Sequence, residues 1–327
     1  MSRRLFLPVL AAVLVLGMTG CGSGSTGLKS YYEYAVLASL DGQGQEDLKL
    51  PGFAEDLCII EDPKLYDASL FEAKAAGLFA EDDREVLYAK NAYDRVYPAS
   101  LTKIMTALIV IERCRDLTER VRVGPEMREG LTDSSSLAGL VEGAYYTVED
   151  LLYGLIIPSG NDAANVLAAH TAGSIDAFVD LMNEKAKALG MVDTHFANPH
   201  GLHESGHYTT VYDLYLLARA CISYPLFVRI GGEKTASVTG YYADGTSFVQ
   251  TYKSTNSYLL NYTVLPKGLT LRCTKTGYTV QAGRCLIMVA RDGAGKRYIG
   301  IVAKASTYDG LYEQMNRLLE FALEEEE

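Results

Sequence analysis

The pattern of apolar positions along the chain changes character twice. Ala76 to Ala80 and Val86 to Ala89 are two short apolar runs either side of the charged stretch Glu81-Asp82-Asp83-Arg84-Glu85, which predicts a β-hairpin. Asn91 to Tyr97 leads from it to Pro98, a residue suited to the first turn of a helix but not to its interior. An apolar run with no breaker follows until the charges near Arg113, so a buried helix begins here with Ser100 in its first turn. The stretch 101–224 reads as mostly helical. Thr147-Val148-Glu149-Asp150 is a capping-box start, and Pro158 and Gly160 interrupt the helix that follows. Ala163 to Thr171 resumes it. Ser174 caps another helix, with Phe178, Leu181, Met182 and Leu189 on one face and Gly190 as its stop. A loop runs from Met191 to Tyr208, and Thr210 opens a helix that ends before Pro225. From about 225 the chain turns to strands. Cys285 to Ala290 and Tyr298 to Ala305 are joined by Asp292-Gly293-Ala294-Gly295, and their near-continuous apolarity predicts a sheet covered on both faces. Asp309 to Leu323 closes as an amphipathic helix with Leu311, Met315, Leu318 and Ala322 inward. Strand-rich ends around a helical middle predict an α/β lobe built from 71–100 and 225–323, with a helical lobe, 101–224, inserted between its halves. A cleft between them is the expected site.

The 327 residues, 48% hydrophobic, are enough for such a core. Acidic residues exceed basic ones, 41 to 30, and no basic run follows the N-terminus, which argues against nucleic acid as a partner. The N-terminus itself changes the picture. Arg3 and Arg4 precede an apolar stretch, Leu5 to Leu16, and then Gly17-Met18-Thr19-Gly20-Cys21. This predicts an export signal over 1–21 with a lipoprotein-type cleavage site, Cys21 becoming the lipidated first residue. Two acyl chains suffice for stable anchoring. Residues 22–70, beginning with a Gly/Ser stretch, read as a tether and adapter. Cys58, Cys114, Cys221, Cys273 and Cys285 show no paired spacing. Cys273 and Cys285 could face each other across a hairpin or remain buried free thiols.

The candidate chemistry starts at Ser100 and Lys103, three residues apart on one helix face. A serine hydroxyl needs an adjacent base, and a lysine becomes one when burial or a neighbouring cation lowers its pKa. Pro158-Ser159-Gly160-Asn161-Asp162 lies on a turn between helices, where Ser159 and Asn161 can point into a cleft or simply cap a helix. Lys275-Thr276-Gly277 at a strand edge suits a carboxylate: the cation supplies charge, the Thr a directed hydrogen bond, and the Gly close backbone approach. Ser254-Thr255-Asn256 competes with the second motif and Lys234-Thr235-Ala236, lacking Gly, with the third. His203-Glu204-Ser205-Gly206-His207 matches a zinc-peptidase signature, but Pro199, Gly201 and Gly206 argue for a loop, whereas that chemistry needs both imidazoles on one helix face.

Ser-x-x-Lys, Ser-x-Asn and Lys-Thr-Gly in this order resemble the three signatures of penicillin-recognising serine enzymes. Pro98-Ala99-Ser100-Leu101-Thr102-Lys103, Ser159-Gly160-Asn161-Asp162-Ala163-Ala164 and Asn198-Pro199-His200-Gly201-Leu202 resemble the D-alanyl-D-alanine carboxypeptidases, from about Ala75 to Leu323. The resemblance implies an α+β fold of the β-lactamase/transpeptidase type: a five-stranded antiparallel sheet flanked by helices, with an inserted helical subdomain. It implies Ser100 as acylated nucleophile, Lys103 as general base and Ser159 as proton relay. Asn161 would hold the substrate amide, Lys275 supply positive potential and Thr276 bind the terminal carboxylate. The backbone N–H groups of Ser100 and of Tyr278, just after Gly277, would form the oxyanion hole. The implied substrate is the peptidoglycan stem pentapeptide, trimmed outside the cytoplasmic membrane without metal or cofactor and blocked by β-lactams. Thr274 departs from the pattern, a small apolar residue being common before the Lys. A class A β-lactamase shares the three signatures but needs a Glu-x-x-Leu-Asn stretch, absent between Asn161 and Lys275. A D,D-endopeptidase and an inactive cell-wall-binding module are the remaining alternatives.

Overall fold

The computed structural model describes residues 57–60 and 66–324. The export signal, Cys21 and most of the 22–70 tether lie outside the described residues. β1 (Ala75–Ala80) and β2 (Glu85–Lys90) form the expected hairpin. With β7 (Thr270–Thr279), β8 (Gly283–Arg291) and β9 (Arg297–Ala305) they make a five-stranded antiparallel sheet of order β2-β1-β9-β8-β7. The continuous apolar runs of β8 and β9 arise because both faces are covered. Ile287, Val289, Ile299 and Ile301 point into one core, while Leu286, Met288, Ala290 and Val302 point into the other. The second core is closed by the last helix, α7 (Tyr308–Glu324), through Leu311, Met315, Leu318 and Ala322. The first is closed by α1 (Thr102–Arg113) and α5 (Val211–Cys221).

Between β2 and β7 lie α1, α2 (Val148–Ile156), α3 (Asn161–Ala172), α4 (Ile175–Ala188), α5 and α6 (Pro225–Gly231). Thr147 caps α2 with the reciprocal Asp150 bond of a capping box. Ser174 caps α4, which buries Phe178 and Met182, and Thr210 caps α5. This is the α+β architecture that the resemblance implies.

Two features differ from the expectation. The strands do not begin at 225: Pro225 sits at the first turn of α6, which buries Phe227 and Ile230 three apart. A second, four-stranded sheet of order β3-β4-β5-β6 was not foreseen. Its β5 (Thr235–Tyr241) and β6 (Ser247–Lys253) form a hairpin that joins β4 (Tyr145–Thr147) of the inserted part, next to β3 (Arg120–Arg122), so the chain regains the five-stranded sheet only at β7. The cysteines resolve the open alternative. Cys273 lies opposite Val289 and Cys285 opposite Gly277, and both are buried free thiols.

Candidate active site

Ser100 lies in a tight turn, Ala99–Leu101, that runs directly into α1. Ala99 takes φ +49°, a left-handed conformation unusual for a residue with a Cβ. Gly201 holds it there. At φ +91° its backbone packs so closely that a Cβ would overlap the Ala99 carbonyl. The loop carrying Gly201 is tied to α1 by Thr106 Oγ1, which donates to the Pro199 carbonyl at 2.6 Å, and to itself by Asn198 Oδ1, which accepts from the Gly201 N–H at 2.7 Å.

Lys103 is fully buried one turn on from Ser100. Its Nζ is 3.0 Å from Ser100 Oγ, 2.6 Å from Asn161 Oδ1 and 2.7 Å from the His200 carbonyl oxygen. Burial drives its pKa well below the ordinary lysine range. The Lys275 cation adds to the shift and Asp162 opposes it. A neutral amine has two hydrogens and one lone pair. Asn161 and His200 accept the two hydrogens, which leaves the lone pair for the Ser100 hydroxyl. His200 and His207 add no charge nearby, because burial lowers both to about 3. His207 instead bonds Thr102 Oγ1 at 2.7 Å, and the segment 203–207 is a loop, so its two imidazoles do not share a helix face.

Ser159 turns at φ +63° between α2 and α3. Its Oγ accepts from Lys275 Nζ at 2.8 Å. Lys275 also donates to the Thr276 carbonyl, and burial brings its pKa down to about 7. β7 is an edge strand, and Gly277 brings it against the Ser100 turn: a Cβ there would lie 3.1 Å from the Ser100 nitrogen. The competing Ser254-Thr255-Asn256 sits beside this strand. Thr255 Oγ1 and Thr276 Oγ1 are 2.6 Å apart, and Asn256 Nδ2 donates to Thr274 Oγ1 at 2.9 Å. Thr274 Oγ1 in turn donates to the Ile287 carbonyl, so a buried hydroxyl is fully bonded where a small apolar residue was expected. Lys234-Thr235-Ala236 leads into β5, in the other sheet.

Asp162 had no sequence-derived role beyond its motif. It is buried and accepts from the backbone N–H groups of Ala138, Gly139, Leu140 and Ala163. Four main-chain donors on one carboxylate anchor the 134–140 loop against the start of α3. Asp162→Ala should cost about 2–4 kcal/mol, since it leaves buried donors unpaired. A melting curve checks this, and the loosened loop should also slow acylation of Ser100.

The cleft, about 330 Å³, is lined by Ser100, Ser159, Asn161, Thr276, Gly277 and Tyr278. All but one of the remaining sequence-derived site residues are accounted for by Lys103 and Lys275, buried behind that wall. Cys21 falls outside the described residues. Ser134, Ser135, Ser136, Arg284, Tyr308 and Tyr312 also line it and were missed as site residues, as were His200 and Gly201 beside Ser100.

The family model for D-alanyl-D-alanine carboxypeptidases matches residues 64–307. D-alanyl-D-alanine carboxypeptidase DacF of Bacillus subtilis is 35% identical over 280 residues, 84% of this chain and 68% of that protein. DacD of Escherichia coli is 36% identical over 244 residues, 72% of this chain but only 59% of its own length. Among solved structures, the DD-transpeptidase of Streptomyces K15 superposes with a TM-score of 0.72 at 28% identity, covering 78% of this chain and 98% of that one. A second, the carboxypeptidase DacD of Francisella tularensis, gives 0.68 at 27% identity, covering 81% and 73%. With motifs, fold and site geometry in agreement with these matches, the chain belongs to the serine-type D-alanyl-D-alanine carboxypeptidase family.

Proposed function

We propose that this chain removes the terminal D-alanine from peptidoglycan stem peptides through a serine acyl-enzyme. The observation that carries this reading is the buried Lys103 amine, 3.0 Å from Ser100 Oγ with both its hydrogens engaged elsewhere. Lys103 takes the Ser100 proton as Oγ attacks the penultimate carbonyl carbon. The developing oxyanion is held by the N–H groups of Ser100 and Tyr278, a contribution of about 3 kcal/mol per donor in comparable sites. Asn161 holds the substrate amide with Nδ2 while its Oδ1 stays on Lys103. The proton passes through Ser159 to the departing D-alanine nitrogen, the C–N bond breaks, and the acyl group remains on Ser100. Lys275 supplies positive potential and Thr276 binds the terminal carboxylate. Water, activated by the same lysine, then releases the trimmed peptide. A β-lactam acylates the same serine.

The relatives named as carboxypeptidases favour water as the acceptor; the Streptomyces protein, named as a transpeptidase, keeps an amine acceptor as the second reading. Mass spectrometry on a stem pentapeptide separates them. Free D-alanine with a tetrapeptide product is expected, and a tetrapeptide joined to an added amine in preference would favour transfer. The Leu5–Leu16 run and the Gly20-Cys21 pair support export and lipid anchoring at the outer face of the membrane.

A further inference from the structure

A second pocket, about 340 Å³, adjoins the segment that leads into the nucleophile turn. Lys74, Arg95 and Lys304 bring cations to it, and Tyr97, Ser205 and Tyr208 bring hydroxyls. No Asp or Glu lines it. Tyr97 runs through Pro98 to the Ser100 turn, Ser205 belongs to the loop that carries His200 and Gly201, and the Tyr97 ring stands edge-on to His203 with centres 4.5 Å apart. The pocket and the catalytic cleft are thus built on the same two segments.

The strands explain why charge collects here. β1 and β9 run antiparallel with Ala75 opposite Ala303, so the next pair outward is Lys74 and Lys304. Like charges directly opposite each other destabilise a sheet. A bulge sharpens the placement. Val302 and Ala305 both enter the core under α7 although they are three residues apart, so the alternation of β9 breaks at 303–304. Lys304 takes φ +63° there, and a Cβ on Gly283 would lie 3.2 Å from its Cγ. Bulges re-aim side chains, and this one turns Lys304 into the pocket. Arg95 is balanced by Asp193 at 3.0 Å and stacks on Tyr208. Lys74 donates only to the neutral Arg95 carbonyl, and among the described residues Lys304 forms no ion pair. Two positive charges therefore remain uncompensated at a position where a strand pair ordinarily avoids them.

The proposed reaction gives this pocket a direction. With the leaving carboxylate at Thr276 and the scissile carbonyl at the Tyr278 N–H, the acyl half of the substrate continues along β7 past Tyr278, toward the turn that enters β8 at Gly283. β9 is the next strand over, and Lys304 packs against Gly283. Two strand spacings are about 10 Å. Two extended peptide residues span about 7 Å, and an acidic side chain meeting a lysine covers the rest. We propose that Lys74 and Lys304 form a subsite for a carboxylate side chain one or two residues ahead of D-Ala-D-Ala, so that the enzyme selects acidic stem peptides over neutral ones. This assignment rests on the carboxypeptidase reading above.

The test measures D-alanine release from matched pentapeptides that carry glutamate or glutamine at one of those two positions. At one of them kcat/KM of the wild-type protein should favour glutamate by roughly 3- to 10-fold, mostly through KM, and the preference should shrink as salt is added. In the double variant Lys74→Gln/Lys304→Gln the ratio should fall to near one, and Lys304→Arg, which keeps the charge, should retain it. A structural disturbance at Ser100 would slow both peptides alike and leave the ratio where it was. Equal release from glutamate and glutamine peptides by the wild-type protein overturns the subsite while leaving the carboxypeptidase reading standing. A preference that persists in the double variant overturns it too, by placing the selection elsewhere. If no peptide releases D-alanine, the parent function fails first and the subsite with it.

Discussion

Ser100→Ala should abolish covalent uptake of labelled penicillin and reduce D-alanine release by at least ~10⁴-fold, as loss of the nucleophile does in serine hydrolases generally. The size of the effect follows from what remains. Without Oγ there is no ester to form, and only unassisted attack of water on the peptide bond remains. The fold should survive. Lys103 keeps its Asn161 and His200 partners, and the turn geometry is set by Ala99 and Gly201 rather than by the hydroxyl. The variant should therefore melt close to the wild type while taking up no label. Labelling at the wild-type level would refute Ser100 as nucleophile and, with it, the family mechanism for this chain.

What the sequence reveals and what it hides divides along physical lines. The three motifs are legible because each is local. Ser100 and Lys103 meet by helix spacing, and Lys275-Thr276-Gly277 needs only a strand edge. The two-sided sheet is legible because β8 and β9 are apolar at nearly every position. The second sheet is not, because β3 and β4 have three residues each and β6 carries an exposed Val249 next to Phe248, so its apolar positions do not alternate. The site residues that were missed act through long-range contacts. His200 contributes its carbonyl, which any residue carries. Gly201 contributes the lack of a Cβ where Ala99 presses on it. The run Asn198-Pro199-His200-Gly201-Leu202 is a signal for both, but only as a resemblance without a role. Arg284 has no motif at all; only the β7–β8 register puts it beside the cleft.

Burial also explains how two lysines in one site can differ in charge. Both are desolvated, which disfavours the cation in each. Lys275 is shifted to about 7, so near neutral pH much of its population keeps a charge. That remaining charge pushes Lys103 further down. Between about 7 and the ordinary lysine value, the unfolded chain binds the proton that buried Lys275 has released. The stability cost of burying Lys275 therefore shrinks as pH rises through that window. A pair arranged in this way costs folding free energy and fits the proposed roles of a base beside a cation.

Lys103→Ala should lower acylation by about 10²–10⁴-fold, the usual worth of a general base, and should slow release of the acyl group as well, since the same amine activates the incoming water. Lys103→Arg is the sharper variant. A guanidinium retains the positive charge but has no lone pair and does not deprotonate in this range. If Lys103 works as a base, the arginine enzyme should be as slow as the alanine one. If it works as a charge, arginine should restore much of the rate. The pH profile carries the same distinction with a definite sign. With the neutral amine as the proposed active form and its pKa depressed, kcat should level off below the ordinary lysine range and fall on the acid side as Lys103 takes up a proton. An unperturbed lysine would instead make the rate climb steadily toward pH 10. Stopped-flow acylation across pH for wild type and both variants decides it, because a fast arginine enzyme would remove Lys103 from the role of base and a rate climbing all the way into the ordinary lysine range would remove its depressed pKa.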